Sequence, residues 1–468
     1  MKKLLMALSL FASLSADAQH QFIGFRSGNF TGVNGVFFNP ANVADSRYRW
    51  DVNLFGANAG VGNNNASFSL DNLGDAFGDS ASNALFNGND GYSSGLINAD
   101  VLGPSFMFNV SKKLSFAITS RVRVLANVQD IDGNLIDAIN DERSNSFPFS
   151  INSAANQRLS VNGWTDFGVT AGMVLKEEGN HFLKAGLTVK YLLGAANSFV
   201  NINNLKGTID QDLLGEPFLS NTTGGVAIGY SGVDLNNFEA SDAFKANGSG
   251  VGFDFGLVYE YRPDGSGTSA NQNKYKYKLG IALLDAGSIK YTPDPNEFGN
   301  YTLNITGSER FFPAELQDKS VSEIKTYLDS KPSFFTNNSA SLTSYKSKLP
   351  TTLQINADYH IKRGFYVDLS SQVSLAQKDN LYSSYYNNQV TLTPRFESKV
   401  FGVYLPLNYS SLTNFNAGIS LRAGPVFLGS GSIFTALLGE SKQADFHFGI
   451  RFGSLKKKGK ASKEEIED

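Results

Sequence analysis

The chain has 468 residues, a formal net charge of -3, no cysteine, 37 phenylalanines, 19 tyrosines and 46 glycines. Without cysteine there is no zinc–thiolate site, no thiol chemistry, no disulfide-stapled exported fold and no lipid-anchored amino terminus. Near-neutral charge without basic clusters excludes a nucleic-acid footprint, and an aromatic, glycine-rich composition leans to β structure.

The first stretch, MKKLLMALSLFASLSADAQ, joins two lysines to a short apolar run and a small-x-small ending at Ala16-Asp17-Ala18. It reads as a secretory signal peptide over residues 1–18, with the mature chain starting near Gln19. No later window is long and apolar enough for a spanning helix. Residues 19–48 then carry Phe22, Ile23, Phe25, Phe30, Val33, Val36, Phe37 and Phe38 with neither helix nor strand period. Apolar surface of that extent needs covering. Asn39-Pro40 stops any helix and marks a turn. Two readings follow: an ordinary surface turn with buried flanking phenylalanines, or an interior hatch, reversed at Asn39-Pro40 toward a wall that begins at Arg49. Phe37, Phe38, Asn39 and Pro40 are the hatch candidates.

From 49 to 453 the dominant signal is period two. In VGFDFGLVYEYR, Val251, Phe253, Phe255, Leu257, Tyr259 and Tyr261 share one face, opposite Gly252, Asp254, Gly256 and Glu260. Only a strand gives that pattern. The same alternation recurs over 50–60, 101–110, 114–128, 161–175, 181–200, 251–262, 275–291, 351–361, 364–377, 389–397, 400–409, 415–430 and 444–452. Single-chain outer-membrane barrels have even strand numbers, so 415–430 is split at Gly424-Pro425 to make fourteen. Strands near ten residues, aromatic on one face and charged or tiny on the other, favour an all-β transmembrane antiparallel barrel over a soluble sandwich. Tight turns at NVSKKL, KEEGN, HIKRGF and FESKV alternate with long polar stretches at about 61–99, 129–160, 200–250 and 292–349. That is the asymmetry of short periplasmic and long external connections. Residues 454–468, of mixed charge, read as a periplasmic tail.

Lipid-out alternation points Arg121, Arg123, Asp166, Lys184, Lys190, Asp254, Glu260, Lys276, Lys278, Asp358, Asp368, Arg395 and Arg422 inward. With mixed signs these are expected to pair and hold the barrel rather than to select an ion. GYSSG at 91–95 matches the serine-hydrolase pattern but lies in an Asn, Gly and Ser-rich loop, without the strand and helix of a nucleophile elbow. His20, His181, His360 and His447 lack ligand spacing. No enzyme, metal site or cofactor is expected.

Asn39-Pro40-Ala41 before the first strand, ALLDAGSIKY at 282–291, LPTTLQINADY at 349–359 and LRAGPVFLGSGS near the end resemble the outer-membrane barrels related to the long-chain fatty-acid transporters, FadL-like and PorV-like. The likeness is nearest to a branch of unknown function from type IX-secreting bacteria. It implies a fourteen-strand barrel in the bacterial outer membrane with an amino-terminal hatch, and for the transporters uptake of hydrophobic molecules with lateral release. Two functions compete: a hatch-plugged channel for small hydrophobic molecules, or a closed barrel serving as partner subunit of a secretion or cell-surface machine. Outer-membrane lipid is the common partner, and the aromatic loop NLYSSYYNN at 380–388 is expected to face an external protein.

Overall fold

The computed structural model describes residues 21–69, 91–135, 147–233, 245–263, 274–317, 319–339, 342–439 and 441–456. The signal peptide read at 1–18, His20 and residues 457–468 of the expected tail lie outside them.

Fourteen staves form the wall: β1 Tyr48–Asn63, β2 Tyr92–Leu102 continued by Ser105–Asn109, β3 Leu114–Asp132, β4 Asn156–Glu178, β5 His181–Gln211, β6 Gly248–Tyr261 and β7 Tyr277–Tyr291 make the first half. The second half is β8 Thr352–Lys362, β9 Phe365–Ser374, β10 Gln389–Glu397, β11 Phe401–Tyr404 with Leu407–Ser410, β12 Asn414–Ala417 with Ile419–Ala423, β13 Val426–Ser430 and β14 Gln443–Leu455. Each pairs antiparallel with the next, and β14 returns to β1 through pairs such as Val52↔Phe452 and Ala57↔Phe448. Closure leaves the wall without an edge.

The alternation sets the facing. Phe253 and Phe255 are 48% and 47% exposed, while Asp254 between them is 3% exposed. The apolar outer face belongs to lipid, and among the described residues no helix is long and apolar enough to cross a membrane. Gly424 adopts φ +56°, and Gly424-Pro425 makes the tight turn between β12 and β13. The staves break at Gly103-Pro104 and Leu405-Pro406, where a proline withholds a ladder N–H.

The four expected long connections are partly strands. β4 and β5 run on past the lipid band, β5 reaching 31 residues in all. The 16-residue strand Pro217–Gly232 and short strands Phe149–Asn152, Phe298–Asn304 and Phe335–Asn337 pair around this extension, beside a helix Val321–Ser330. A capping box of Ser320 and Glu323 starts that helix. Ile209, Ile228, Tyr301, Leu303, Phe311, Leu328 and Phe335 form a separate buried core. The stretches at 200–250 and 292–349 looked like loops because strands above the membrane bury one face on this small core and wet the other, so no lipid-type aromatic face marks them. β14 also runs to Leu455, past the expected tail boundary, and Lys456 still donates its N–H to the Arg47 carbonyl at 2.9 Å.

Candidate functional site

The interior is filled from both ends. From the end with tight turns, residues 21–47 enter as three short 3-10 turns, Phe25–Ser27, Gly32–Phe37 and Pro40–Val43; this is the lower plug. Asn39 is extended, its Oδ1 accepts the Ala41 N–H at 2.9 Å, and Pro40 opens the last turn, where its missing N–H costs nothing. The Asn39 amide also donates to the carbonyls of Leu257 on β6 and Ile281 on β7, at 3.2 and 3.3 Å. Gly172 on β4, Gly186 on β5 and Gly256 on β6 face each other in register and make a flat seat. A Cβ at Gly186 would overlap the Pro40 backbone, at Gly256 the Asn39 Oδ1 and at Gly172 the Val43 side chain. At Gly186 backbone therefore lies on backbone. Phe22, Phe25, Leu102 and Phe427 form an apolar cluster beside the half-buried Phe37 and Phe38.

From the opposite end the loop 380–388 folds inward as an upper plug, against the expectation that its tyrosines face an outside partner. Tyr385 and Tyr386 are buried. The Asn127 side chain accepts the Tyr385 N–H and donates to its carbonyl, both at 3.0 Å, mimicking a β-pair. Ser384 Oγ donates to the Leu125 carbonyl at 3.1 Å, and Asn197 Nδ2 donates to the Tyr382 carbonyl at 2.8 Å. Inward-facing asparagines satisfy a loop that would otherwise bury bare peptide groups.

Between the plugs lies an ion network. Arg123 binds Asp285 at 2.9 Å and Asp100 at 3.4 Å and stacks on Trp164. Arg121 binds Asp166 at 3.2 Å, with Phe37 of the lower plug over its guanidinium at 5.0 Å. Lys190 bridges Asp254 at 2.7 Å and Asp285 at 2.6 Å. The plugs meet here: Gln21 Nε2 donates to Asp100 at 2.7 Å and to the Tyr386 hydroxyl at 2.8 Å, and Arg123 donates to the same hydroxyl at 2.7 Å.

Other predicted lumen charges hold the lower plug. Arg395 grips Asp358 with two nitrogens, at 2.6 and 3.0 Å, Lys278 reaches the same carboxylate at 3.3 Å, and Arg395 Nε binds Glu397 at 3.1 Å. Glu397 accepts the Asn29 N–H at 2.9 Å. Glu260 pairs with Arg262, whose guanidinium also meets Asp45 at 2.8 Å, and Lys274 joins Asp45 at 2.9 Å. Burial, which would raise the Asp45 carboxyl, is outweighed by Lys274 and Arg262, so it is held well below its usual range. Burial wins at Lys274, whose ammonium is lowered to about 8 against the pull of Asp45.

Two predicted lumen charges are placed differently. Lys276 precedes the first ladder residue of β7 and sits at the rim, its Nζ 4.4 Å from the ring of lipid-facing Tyr359 and donating to the His360 carbonyl at 2.9 Å. A flexible stem outside the ladder is free to snorkel. Arg422 is buried but has no carboxylate within 4 Å among the described residues; it donates to the Lys399, Ser398 and Phe401 carbonyls, closing the turn before β11, and stacks on Phe30. The GYSSG segment starts β2 rather than lying in a loop, with Ser93 opposite Ile131. His181, His360 and His447 stand on three separate strands, and no metal-ligating cluster occurs among the described residues.

The described interior leaves small polar spaces. One of about 100 Å³ separates the lower plug from β6–β9, and another of about 180 Å³ lies beside the upper plug near Gln129, Asp130 and Lys378.

Residues 40–431 match the family of unknown function DUF5723. No curated protein matches the chain. Among solved structures it is similar to a Pseudomonas aeruginosa FadL homologue, with 10% identity, a TM-score of 0.43, and 94% of this chain and 99% of that one covered. It is also similar to the Ralstonia pickettii toluene transporter TbuX, at 11% identity and a TM-score of 0.42 over 90% and 94% of the two chains. The translocator domain of the autotransporter NalP from Neisseria meningitidis follows at 6% identity and a TM-score of 0.33, over 90% and 92%.

Proposed function

The chain belongs to the family of unknown function DUF5723, and we propose that it is a non-enzymatic, closed barrel of the bacterial outer membrane, a membrane-seated platform for a secretion or cell-surface partner. One observation carries the reading: the axis of the barrel is occupied by the network of Arg121, Arg123, Asp100, Asp166 and Asp285, each no more than 5% exposed. A hydrophobic solute moving along that axis has to part these charges in a dry interior, which costs several kcal/mol for each one left unpaired. The outer annex on β4 and β5, with its own core, supplies the surface a partner needs. The signal peptide read at residues 1–18 and the PorV-like resemblance agree with this role.

A second reading, passage of small hydrophobic molecules, is favoured by one feature of the wall. β1 and β2 pair at Asn53↔Ser105 and at Gly56↔Leu102 but not between, and the apolar cluster of Phe22, Phe25 and Phe427 lies behind that interruption. A solute leaving sideways there avoids the ion network. Uptake into proteoliposomes of a panel of hydrophobic solutes tests the two. The platform reading expects uptake no faster than in empty liposomes. Uptake that requires the protein and is lost on Phe25→Arg overturns it in favour of lateral passage.

A further inference from the structure

The cavity of about 100 Å³ between the lower plug and the wall is lined by side chains from both, among them Arg26, Asn356 and Asp368. At roughly 10–15 Å³ for each water-sized group it has room for about seven such groups. Most charges around it are matched: Asp45 with Lys274 at 2.9 Å, Lys184 with Glu260 at 3.9 Å, Lys278 with Asp358 at 3.3 Å. Arg26 and Asp368 differ. Neither has an ion pair within 4 Å among the described residues. Arg26 reaches only Gln354 Oε1, at 3.4 Å, and Asp368 receives only Asn356 Nδ2, also at 3.4 Å. Asp368 is 2% exposed, and the nearby cations Arg395 and Lys278 are ion-paired with Asp358 rather than with it. The two groups carry opposite charges, come from different parts of the molecule and face one space.

We propose that this cavity binds a small molecule carrying both charges, its carboxylate or phosphate on Arg26 and its ammonium on Asp368. The guanidinium fork matches a carboxylate with two parallel hydrogen bonds, and a buried carboxylate accepts strongly from an ammonium. A simple anion leaves Asp368 unmatched beside an added negative charge. A simple cation does the same to Arg26. Only a molecule with both charges relieves both groups, and the space excludes an intact phospholipid with its acyl chains. The site does not depend on whether the barrel is a platform or a channel.

The test is ligand-observed NMR and titration calorimetry on the full chain in detergent, with glycine, phosphoethanolamine, acetate and methylammonium as probes. The wild type is expected to bind glycine or phosphoethanolamine at least tenfold more tightly than acetate or methylammonium. Whichever of the first two binds better distinguishes a free amino acid from a headgroup-derived zwitterion. Arg26→Gln and Asp368→Asn should each weaken that binding at least tenfold, and Asp368→Asn should narrow the gap to acetate. Absence of zwitterion binding, binding no tighter than acetate, or binding retained in both variants overturns the site. The four-probe comparison on the wild type decides the matter even where a variant fails to fold.

Discussion

The two plugs close one lumen by different physics. The lower plug rests directly on the wall backbone, with Asn39, Pro40 and Ala41 lying on Gly186 and Gly256 and Val43 and Ala44 on Gly172, and tolerates no added atom at the contact. The upper plug is held at a distance by side chains, with Asn127, Asn197 and Ser384 reaching between loop and wall. A seat made of missing side chains is rigid and specific to one backbone shape. A clamp of asparagines adapts to a loop with no regular structure, at the cost of a hydrogen bond for every peptide group it must satisfy. The lower plug should therefore fail when atoms are added, and the upper one when atoms are removed.

The sharpest break is Gly186→Ala. Its Cβ has nowhere to go but into the Pro40 backbone, and overpacking of this kind costs about 1–3 kcal/mol. The wall should still assemble while the lower plug lifts. Because the chain has no cysteine, Asn34→Cys serves as a reporter: Asn34 is fully buried in the parent and should become open to maleimide in the alanine variant. Gly163→Ala is the matched control, since its nearest neighbour is 3.9 Å away, and it should leave Asn34→Cys protected. Equal labelling in the two glycine variants would remove the seat from the account.

Next in size is Asn127→Ala, which leaves the Tyr385 N–H and carbonyl without their partner, at a cost of about 1–3 kcal/mol. A Ser383→Cys reporter should label faster while Asn34→Cys stays protected. Labelling of both would mean the plugs are one unit rather than two.

The smallest effect is expected at the contact they share between Gln21 and Tyr386. Tyr386→Phe removes the hydroxyl that joins Gln21 to Arg123 and should loosen both plugs by about 0.5–1.5 kcal/mol. Combined with Gln21→Ala, the loss should be less than additive, because both changes cut the same link. Strict additivity in hydrogen exchange of the two plugs would show that they are not coupled there.

The wall was legible because period two gives every residue two destinations, lipid or lumen, and the composition of the two faces differs. The lipid-facing set from Val251 to Tyr261 follows from that rule alone, while the turn at Gly424-Pro425 needed the even strand number as well. The rule fails where the ladder slips. Asp285, a hub of the ion network, sits at φ +58° in a bulge between Leu283 and Ala286, so parity carries no information about it. Asp100 lies in a run, Asn98-Ala99-Asp100, too small and polar to display its facing. The Asn39-Pro40 turn could be read, since proline leaves few choices, but its glycine seat could not, because three glycines on three strands meet only when the register is known. Tyr385 and Tyr386 were misplaced because a loop has no period, and exposed and buried tyrosines look alike in sequence.

The most direct test is single-channel recording in planar bilayers of four proteins: the parent, a deletion of Gln21 to Phe38, a replacement of 380–388 by a short Gly-Ser turn, and the two combined. Two plugs in series predict a silent parent, at most small conductance from either single change, and a wide, steady pore only from the double variant. Full conductance from the Gln21 to Phe38 deletion alone, or an open parent, would contradict a lumen closed from both ends.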